Sequence, residues 1–535
     1  MTHRASRLRI AFVATLLAST GVAQAALDKP VKTASGAVSG MPGKVAGVTV
    51  FKGIPFAAPP VGDLRWRAPQ PVKAWTGVRP ANAWGKVCIQ PPGKGRVNPA
   101  TDMPDSPGMS EDCLNLNVWT PAKTGREKLP VMVWLYGGAY GEGGGSAPFS
   151  EGDILASKGV VLVTFNYRVG SLGFMAHPEL TKESGRNASG NYALMDSIEA
   201  LRWIKRNIAA FGGDPDNVTI FGESAGAAMD AGLVGAPPAR GLFRRAISES
   251  GAWMGLGIAK MVPRETAEAA AVKAADVIGK KTLAELRALP AQEAYDKLPR
   301  QGMIVDGWVI PEDLSVTFAQ GRQNKVDVLV GSNAEEGSFT AGFGPPMTAA
   351  MWKEGAEKRW GTLAAAGLAA YPAASDDEAK KVSPQPFADA MAWHMRLFAD
   401  SQAKIGQNAW LYYFTHQPLY DPGKPNLGAA HTAEIPYVFD NLAAPRTFPG
   451  QSSVALMAGN PREEKFADQV SAYWVNFART GNPNGPGLPE WPKVSALGPS
   501  EAMVLDADGS GRGPWLTQPK IDLFVKTYER DVGAR

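Results

Sequence analysis

Histidine and cysteine are scarce in this sequence, which limits the chemistry that it can support. Its 535 residues include five histidines and two cysteines. No two histidines lie close enough in the chain to form the paired ligands of a typical zinc site. Metal-dependent hydrolysis is therefore poorly supported, and we expect no metal centre.

The sequence also lacks a strong excess of charge of one sign. It has 55 lysines and arginines against 51 aspartates and glutamates, which gives a formal net charge of +4. Such a balance provides no extended basic field for nucleic acid or for an anionic membrane surface. We therefore expect neither as a partner.

Long apolar stretches are missing as well, except near the start of the chain. Residues 10–17 are largely apolar, and they lie between Arg4, Arg7 and Arg9 on one side and Ala23-Gln24-Ala25 on the other. This is the pattern of a secretory signal peptide, and its apolar part is too short to span a bilayer. Removal of residues 1–25 takes away three arginines and no acid, which leaves a net charge of +1. We expect a periplasmic or extracellular protein without stable membrane insertion.

Residues 26–535 are expected to form one domain. Segments typical of strands and helices alternate along them, and no Ser/Gly-rich or charged linker divides them. Such alternation favours an α/β fold with a mostly parallel sheet. Residues 264–289 and 351–397 have helical patterns and are expected to be insertions.

The two cysteines, Cys88 and Cys113, are 25 positions apart. Export would bring them into an oxidising compartment, where they can pair. The stretch between them is rich in proline and glycine, which excludes a regular helix or a central strand. It is expected to be a tethered surface loop.

Ser224 lies in the segment Gly222-Glu223-Ser224-Ala225-Gly226. Residues 218–221 before it are typical of a strand, and the alanine-rich residues 225–231 are typical of a helix. Glycines two positions before and after the serine permit a sharp turn between strand and helix, which holds the hydroxyl away from the backbone. The pattern predicts that Ser224 is the nucleophile of an acyl-transfer reaction.

A second glycine cluster, Tyr136-Gly137-Gly138-Ala139-Tyr140, follows a predicted strand at residues 131–135. Acyl transfer creates an oxyanion that needs N–H groups with no side chain in the way. Gly138 and Ala139 provide two such donors. Ala225 provides a third, because N–H groups at the start of a helix have no partner within it.

These patterns leave both the base and the acid open. In enzymes with this turn the acid and then the histidine follow the serine in the chain, which leaves three histidines. His394 lies in an apolar helical pattern typical of a packed residue, whereas His416 follows a predicted strand and His431 lies in a loop. His416 and His431 are equally acceptable as the base, and Glu335 and Glu336 as the acid that orients it.

Further short segments extend the pattern along nearly the whole mature chain. They are Gly53-Ile-Pro-Phe-Ala-Ala-Pro-Pro, Leu64-Arg-Trp, Glu111-Asp-Cys-Leu-Asn-Leu-Asn117, Asn166-Tyr-Arg-Val-Gly-Ser-Leu-Gly-Phe174, Gly190-Asn-Tyr-Ala-Leu-Met-Asp196, residues 211–226, 333–337 and 431–439, and Phe477-Ala-Arg-Thr-Gly-Asn-Pro-Asn484 with Trp491. In these segments the chain resembles the type B carboxylesterase family. The resemblance implies an α/β-hydrolase fold, with a large, mostly parallel central sheet flanked by helices and helical insertions over the active site. It also implies hydrolysis of small-molecule carboxylic esters without a cofactor.

The resemblance also implies residue roles. It selects Glu336 as the acid and His431 as the base of Ser224. It implies oxyanion donors at Gly138, Ala139 and Ala225, a disulfide between Cys88 and Cys113, and supporting roles for Glu223 and Ser250. We expect the substrate pocket to include Tyr140, Trp253, Met254 and Phe339.

The chain departs from the family pattern at several positions. Ala139 replaces a glycine that is common in relatives, and Ser197 and Glu249 replace glutamines. The loop between the cysteines has no aromatic residue, whereas cholinesterases have a tryptophan there for cation recognition. Choline esters are therefore not the expected substrates.

Two other functions stay compatible with the sequence. The same triad would serve an enzyme that hydrolyses amides, carbamates or lactones, and the same fold also occurs in binding proteins without activity. The sequence determines neither the preferred sizes of the acyl and alcohol groups nor the oligomeric state.

Overall fold

The computed structural model of the protein describes residues 27–91, 100–102, 106–251, 261–339, 346–445 and 452–533. The expected signal peptide lies outside these residues. So do the predicted pocket residues Trp253 and Met254 and part of the loop between the cysteines.

Sixteen strands are present in the described residues. In chain order they are β1 (Val31–Lys32), β2 (Ala37–Ser39), β3 (Met41–Pro42), β4 (Thr49–Pro55), β5 (Val78–Pro80), β6 (Asn115–Thr120), β7 (Leu129–Leu135), β8 (Val161–Phe165), β9 (Gly213–Glu223), β10 (Arg245–Glu249), β11 (Val262–Pro263), β12 (Ile304–Val305), β13 (Asp327–Asn333), β14 (Ala409–Phe414), β15 (Glu501–Leu505) and β16 (Gly511–Pro514).

The same part of the chain contains eighteen α-helices. They are α1 (Asp153–Ser157), α2 (Gly170–Phe174), α3 (Pro178–Glu183), α4 (Tyr192–Asn207), α5 (Ala225–Gly235), α6 (Arg264–Val277), α7 (Leu283–Arg287), α8 (Ala291–Lys297), α9 (Leu314–Ala319), α10 (Ala349–Glu354), α11 (Ala356–Trp360), α12 (Ala364–Ala370), α13 (Asp376–Val382), α14 (Gln385–Lys404), α15 (Ile435–Val438), α16 (Val454–Met457), α17 (Pro461–Thr480) and α18 (Gln518–Asp531). None of these described helices is both long and apolar enough to cross a membrane.

One large sheet organises the fold. Eleven of the described strands form it, in the order β16, β15, β14, β13, β10, β9, β7, β8, β6, β4, β3. The seven strands from β15 to β8 run parallel, and antiparallel strands extend the sheet at both edges. Two smaller sheets, β1-β2-β5 and β11-β12, lie apart from it. The large, mostly parallel sheet expected from the sequence is therefore present.

The central strands are buried on both faces. Every residue of β8 and β10 is buried, and so is every residue of β7 after Leu129. Strands that are covered by helices on both sides are expected to be continuously apolar instead of alternating. The run Val131-Met-Val-Trp-Leu135 has this character, which explains why β7 lies near the middle of the sheet.

Helix α5 packs closely because its residues are small. All eleven of its residues are buried, and most of them are alanine or glycine. It makes its largest contacts with β9 and β10. A Cβ atom on Gly226 would lie 2.0 Å from the carbonyl oxygen of Leu135, so only glycine allows the start of α5 to approach the end of β7.

Helix α17 has capping residues at both ends. The side chain of Asn460 accepts hydrogen bonds from the N–H groups of Arg462 and Glu463, and Pro461 occupies the first helical position. Gly481 ends the helix in the left-handed conformation, with a φ of 81°. Such caps satisfy N–H and C=O groups that a helix leaves unpaired at its ends. The helix buries an apolar face that includes Trp474.

Two ion pairs, one buried and one partly buried, join segments that the sequence identifies as motifs. Arg168 makes two hydrogen bonds to the carboxylate of Asp196, at 2.8 and 2.7 Å. Arg65 binds Glu111 in the same way, at 2.6 and 2.7 Å. A paired guanidinium and carboxylate satisfy each other's hydrogen bonds in a fixed geometry, so these pairs hold distant parts of the chain in register.

Cys88 and Cys113 form a disulfide. Its closed loop of 25 residues is expected to stabilise the folded state by about 3.5 kcal/mol, because it restricts the unfolded chain. The disulfide that the resemblance implied is therefore present.

Candidate active site

The predicted serine, acid and histidine lie beyond the carboxyl ends of the central strands of the large sheet. Ser224 follows β9, Glu336 lies three residues after β13, and His431 lies in the segment that connects β14 with α15. The glycine cluster at residues 137–139 follows β7. Because β7, β9, β13 and β14 are parallel, their carboxyl ends meet at the same edge, where open α/β sheets commonly bind ligands.

Ser224 occupies a strained turn between β9 and α5. Its φ of 58° and ψ of −122° are unfavourable for a residue with a Cβ atom. Its N–H donates to the carbonyl oxygen of Glu249 at 2.8 Å. A Cβ atom on Gly222 would lie 2.6 Å from the carbonyl oxygen of Leu135. The glycines on either side of Ser224 are thus required by close backbone contact with β7.

His431 lies between Ser224 and Glu336. Its Nε2 atom is 2.9 Å from Oγ of Ser224, and its Nδ1 atom is 2.6 Å from Oε2 of Glu336. Both distances are those of hydrogen bonds. In the tautomer with the proton on Nδ1, that atom donates to the carboxylate and Nε2 can accept a hydrogen bond from the serine hydroxyl.

Glu336 is fixed in a fully buried position. Its exposed fraction is 0%, and Oε1 accepts the backbone N–H of Asn333 at 2.8 Å. The side-chain amide of Asn333 donates to the carbonyl oxygen of Ala430 at 2.8 Å and also to the carboxylate of Glu434. Asn333 therefore links the acid to the segment that carries His431, a role that the sequence patterns did not reveal.

Glu335, the other candidate acid, points elsewhere. Its carboxylate accepts the N–H of Ala429 at 2.8 Å, and its own N–H donates to the carbonyl oxygen of Ala429 at 3.0 Å. Glu335 also forms an isolated parallel bridge with Ala430. It thus holds the backbone just before His431 and does not contact the imidazole.

His416, the other candidate base, is buried among different hydrogen-bond partners. Its Nε2 atom is 2.9 Å from the carboxylate of Glu463, which also accepts the hydroxyl of Tyr437. Its exposed fraction is 1%. His394 is likewise buried, within α14. Of the three histidines, the structure places His431 beside Ser224.

The glycine cluster lies directly against the serine. A Cβ atom on Gly137 would be 3.0 Å from Cβ of Ser224. Gly138 and Ala139 both have positive φ angles, 115° and 50°. Within the described residues, their N–H groups have no hydrogen-bond acceptor, and Ala225 is the first residue of α5. The three N–H groups are thus available to an oxygen atom at the site.

A buried carboxyl group lies close to the imidazole. Oε1 of Glu223 is 3.2 Å from Nε2 of His431. Burial raises the pKa of Glu223 well above its ordinary value; the nearby imidazole of His431 opposes this rise, and repulsion by Glu434 and Glu336 adds to it. Burial by itself lowers the pKa of His431, but the negative charges of Glu223 and Glu336 outweigh it and raise that pKa above its ordinary value. The proton affinity of the histidine therefore depends on whether Glu223 is charged.

The predicted pocket residues have different surroundings. Phe339 is 41% exposed, and its ring centre is 5.8 Å from that of His431. Phe387 in α14, which the sequence patterns did not identify, packs edge-on against Phe339 at 6.2 Å. Tyr140 instead packs its ring against Phe174 at 5.1 Å. Phe339 and Phe387 thus form an aromatic wall next to His431, whereas Tyr140 is partly buried and packs against the core.

Ser250 and the insertion helices complete the surroundings of the site. Ser250 is fully buried, and its hydroxyl forms no hydrogen bond with a described residue, so it does not bind Glu336 directly.

Tyr295 of α8 donates to the carbonyl oxygen of Gly141 at 2.7 Å. Helix α14, which begins within the second expected insertion, thus reaches the site through Phe387, and α8 contacts the segment that follows the glycine cluster. Within the described residues, no group of three or more His, Cys, Asp or Glu side chains is arranged to hold a metal ion.

Comparison with known proteins gives a consistent result. A model described as the carboxylesterase family matches residues 28–512. The chain is 39% identical to the fumonisin B1 esterase of Sphingopyxis macrogoltabida, over 91% of this chain and 88% of that protein. It is 33% identical to the para-nitrobenzyl esterase of Bacillus subtilis, over 87% of this chain and 94% of that protein. A solved structure of a PNB esterase matches with a TM-score of 0.77 and 31% identity, over 93% of this chain and 99% of the other. The α/β-hydrolase fold is confirmed.

The geometry of the two glutamates predicts different effects of substitution. Glu336→Gln is expected to lower kcat for an ester by about 10⁴-fold, because an amide does not hold the imidazole in the tautomer that accepts the serine proton. Glu335→Gln is the matched control, since its amide oxygen still accepts the N–H of Ala429. It is expected to cost less than about tenfold, the effect of weakening one hydrogen bond. Steady-state kinetics on a p-nitrophenyl ester would measure kcat for both variants. Equal losses in the two variants would contradict the prediction that Glu336, and not Glu335, orients His431.

Proposed function

The chain belongs to the carboxylesterase family and is a carboxylic ester hydrolase; we propose that it is exported and uses Ser224, His431 and Glu336 as a catalytic triad. One observation carries the triad proposal. His431 lies within hydrogen-bond distance of both other residues, 2.9 Å from Oγ of Ser224 and 2.6 Å from Oε2 of Glu336. This is the geometry that activates a serine hydroxyl through a histidine base.

The reaction begins with attack of Ser224 on the ester carbonyl carbon. Nε2 of His431 takes the hydroxyl proton, and Glu336 stabilises the resulting imidazolium through Nδ1–H. The carbonyl oxygen becomes an oxyanion. The N–H groups of Gly138, Ala139 and Ala225 donate to it, and their fixed backbone positions require no rearrangement as the charge develops.

The second half of the reaction returns the enzyme to its starting state. His431 gives its proton to the alcohol oxygen, the C–O bond breaks, and an acyl group stays on Ser224. Water then enters, His431 removes one of its protons, and the hydroxide attacks the acyl carbon. The proton passes back to Oγ of Ser224 as the carboxylic acid leaves. All these steps use side chains and backbone groups of the chain.

Ser224→Ala is expected to abolish measurable hydrolysis of a short p-nitrophenyl ester, because the acyl group has no oxygen to which it can bind. The fold should persist, since alanine adds no atom to the turn, and circular dichroism would check this. A fluorophosphonate probe should label the unchanged protein at Ser224 and leave the variant unlabelled. Substantial turnover or labelling of the variant would refute the nucleophile, and an unlabelled natural protein would favour a binding function.

Phe339 is proposed as part of the wall that contacts the substrate. Its exposed ring beside His431 supports this role. Phe339→Ala is expected to reduce kcat/KM for esters with large aromatic groups by about fivefold, since an aromatic contact contributes about 1 kcal/mol. Acetate esters of small alcohols should change little. Val78→Ala, which shortens an apolar side chain that is 50% exposed on β5, is the control. Equal losses of kcat/KM for large and small esters would show that Phe339 does not contact the large aromatic group of the substrate.

The names of the relatives suggest substrates for a first survey. Para-nitrobenzyl esters and fumonisin B1 correspond to the two relatives described above. We propose para-nitrobenzyl esters as general probe substrates and fumonisin B1 as a specific candidate substrate. Activity on a p-nitrophenyl series of increasing acyl length would then define the acyl preference.

Export is expected to shorten the chain at its start. The arginines, the apolar residues 10–17 and the segment Ala23-Gln24-Ala25 support cleavage before Ala26. N-terminal sequencing of protein secreted by a Gram-negative expression host should therefore begin at Ala26. Active protein that keeps Met1 and stays in the cytoplasm would contradict the proposal.

A further inference from the structure

The guanidinium group of Arg300 lies beside the loop that carries two of the proposed oxyanion donors. In this loop the N–H of Gly141 donates to the carbonyl oxygen of Gly138 at 3.0 Å, which closes a turn whose end Cα atoms are less than about 7 Å apart. A Cβ atom on Gly141 would overlap Nη1 of Arg300, so the guanidinium rests directly on the backbone of this turn. It therefore lies within roughly 10 Å of the N–H of Gly138.

Contacts on both sides of Arg300 in the chain hold it against the loop. Before it, the hydroxyl of Tyr295 donates to the carbonyl oxygen of Gly141 at 2.7 Å. After it, a Cβ atom on Gly302 would lie 3.0 Å from the ring of Tyr140. The backbone that carries Arg300 is thus anchored at two points next to the loop, and the fold determines where its side chain begins.

The charge of Arg300 is not paired within the described residues, where it forms no salt bridge with aspartate or glutamate. Burial raises the pKa of Tyr295; the adjacent charge of Arg300 opposes this rise, whereas Glu142 and Asp296 add to it. Both acids thus act on Tyr295, yet neither forms a salt bridge with the guanidinium. A guanidinium has five N–H donors, so Arg300 has donors available for a further acceptor.

The guanidinium and the oxyanion donors are both accessible from the solvent. Arg300 is exposed, and Gly141 beneath it is buried. At the other end of the turn Gly138 is partly exposed and Ala139 is exposed. A substrate that places its carbonyl oxygen on these N–H groups can therefore extend along the turn to the guanidinium. Arginine binds a carboxylate through two parallel N–H···O bonds, which fix its orientation as well as its charge.

We propose that Arg300 binds a carboxylate group of the ester substrate, so that the protein prefers esters with a negative charge several bonds away from the reacting carbonyl. The inference rests on the triad and the oxyanion donors proposed above and adds a substrate class to them. Arg300 contacts the substrate but takes no part in proton transfer. The carboxylate belongs either to the acyl part or to the alcohol part of the ester, and the experiment distinguishes the two.

The test compares acidic esters with neutral esters of the same shape. For the acyl part, the pair is the monoethyl ester of adipic acid and the ethyl ester in which an isopropyl group replaces the carboxylate. For the alcohol part, the pair is the acetate ester of a hydroxyhexanoate and its isopropyl counterpart. A pH-stat assay of the purified mature protein gives kcat/KM for all four.

Arg300→Gln is expected to lower the acidic-to-neutral ratio of kcat/KM by about tenfold for one of the two pairs. This is the lower end of the effect of a hydrogen bond to a charged group, as suits an exposed side chain. The glutamine keeps part of the packing of the side chain but removes its charge. Added salt should lower the ratio in the unchanged protein more than in the variant, because salt screens exposed charges.

Two further variants serve as controls. Arg202→Gln removes the same charge from the surface of α4, where the side chain of Arg202 is 46% exposed, and should leave both ratios unchanged. Arg300→Lys keeps the positive charge but not the two parallel donors. It should therefore retain part of the preference that Arg300→Gln loses.

The outcomes separate this inference from the proposed triad. Unchanged ratios in Arg300→Gln for both pairs would overturn the inference. Equal losses on acidic and neutral esters would show a structural role and would also overturn it, and so would an equal fall of the ratio in Arg202→Gln. Each of these results, obtained with an active enzyme, leaves the triad intact, whereas activity of Ser224→Ala would refute the triad itself.

Discussion

The parallel pairing of the central strands is the constraint on which the site depends. Strands β7, β9, β10 and β13 are adjacent and in register, so their carboxyl ends lie within a few strand spacings of one another. Each site residue from these strands occupies the end of a strand or the loop after it. A shift of one position in any pairing would turn the end residues to the opposite face of the sheet. The close contacts of Gly222 and Gly226 with Leu135 show how little space this arrangement leaves.

The second constraint on the site is the desolvation of its buried glutamate side chains. Glu223, Glu249, Glu336 and Glu434 are all buried at the same edge of the sheet. Burial raises the pKa of Glu434 to about 7, and repulsion by Glu336 contributes to the rise. A carboxyl group in such a place is charged only where donors or a cation stabilise it. Glu336 accepts the N–H of Asn333 and lies against the imidazole of His431.

Several features could be predicted from local sequence. The apolar residues 131–135 form most of β7, and the alanine-rich segment after Ser224 forms α5. The predicted strand before Ser224 was too short, because β9 begins at Gly213 instead of residue 218. Residues 213–217 contain glycine, proline and aspartate, which are poor strand formers. Pairing of Gly213 with Leu129 of β7 overrides this weak local preference.

The division between sequence and tertiary structure is clearest at the site itself. Local residue patterns alone determined that a serine stands on a tight turn, that glycines follow a neighbouring strand, and that two glutamates and two histidines are acceptable partners; the family resemblance then selected Glu336 and His431 among them. These properties depend on residue type and short spacing, which a linear pattern contains. Only the tertiary structure decided that His431 contacts Ser224 while His416 binds Glu463, and that Glu336 faces the imidazole while Glu335 holds the backbone of Ala429. The two contacts of His431 join residues 95 and 207 positions apart, and only the packing of the sheet and its loops brings them within hydrogen-bond distance.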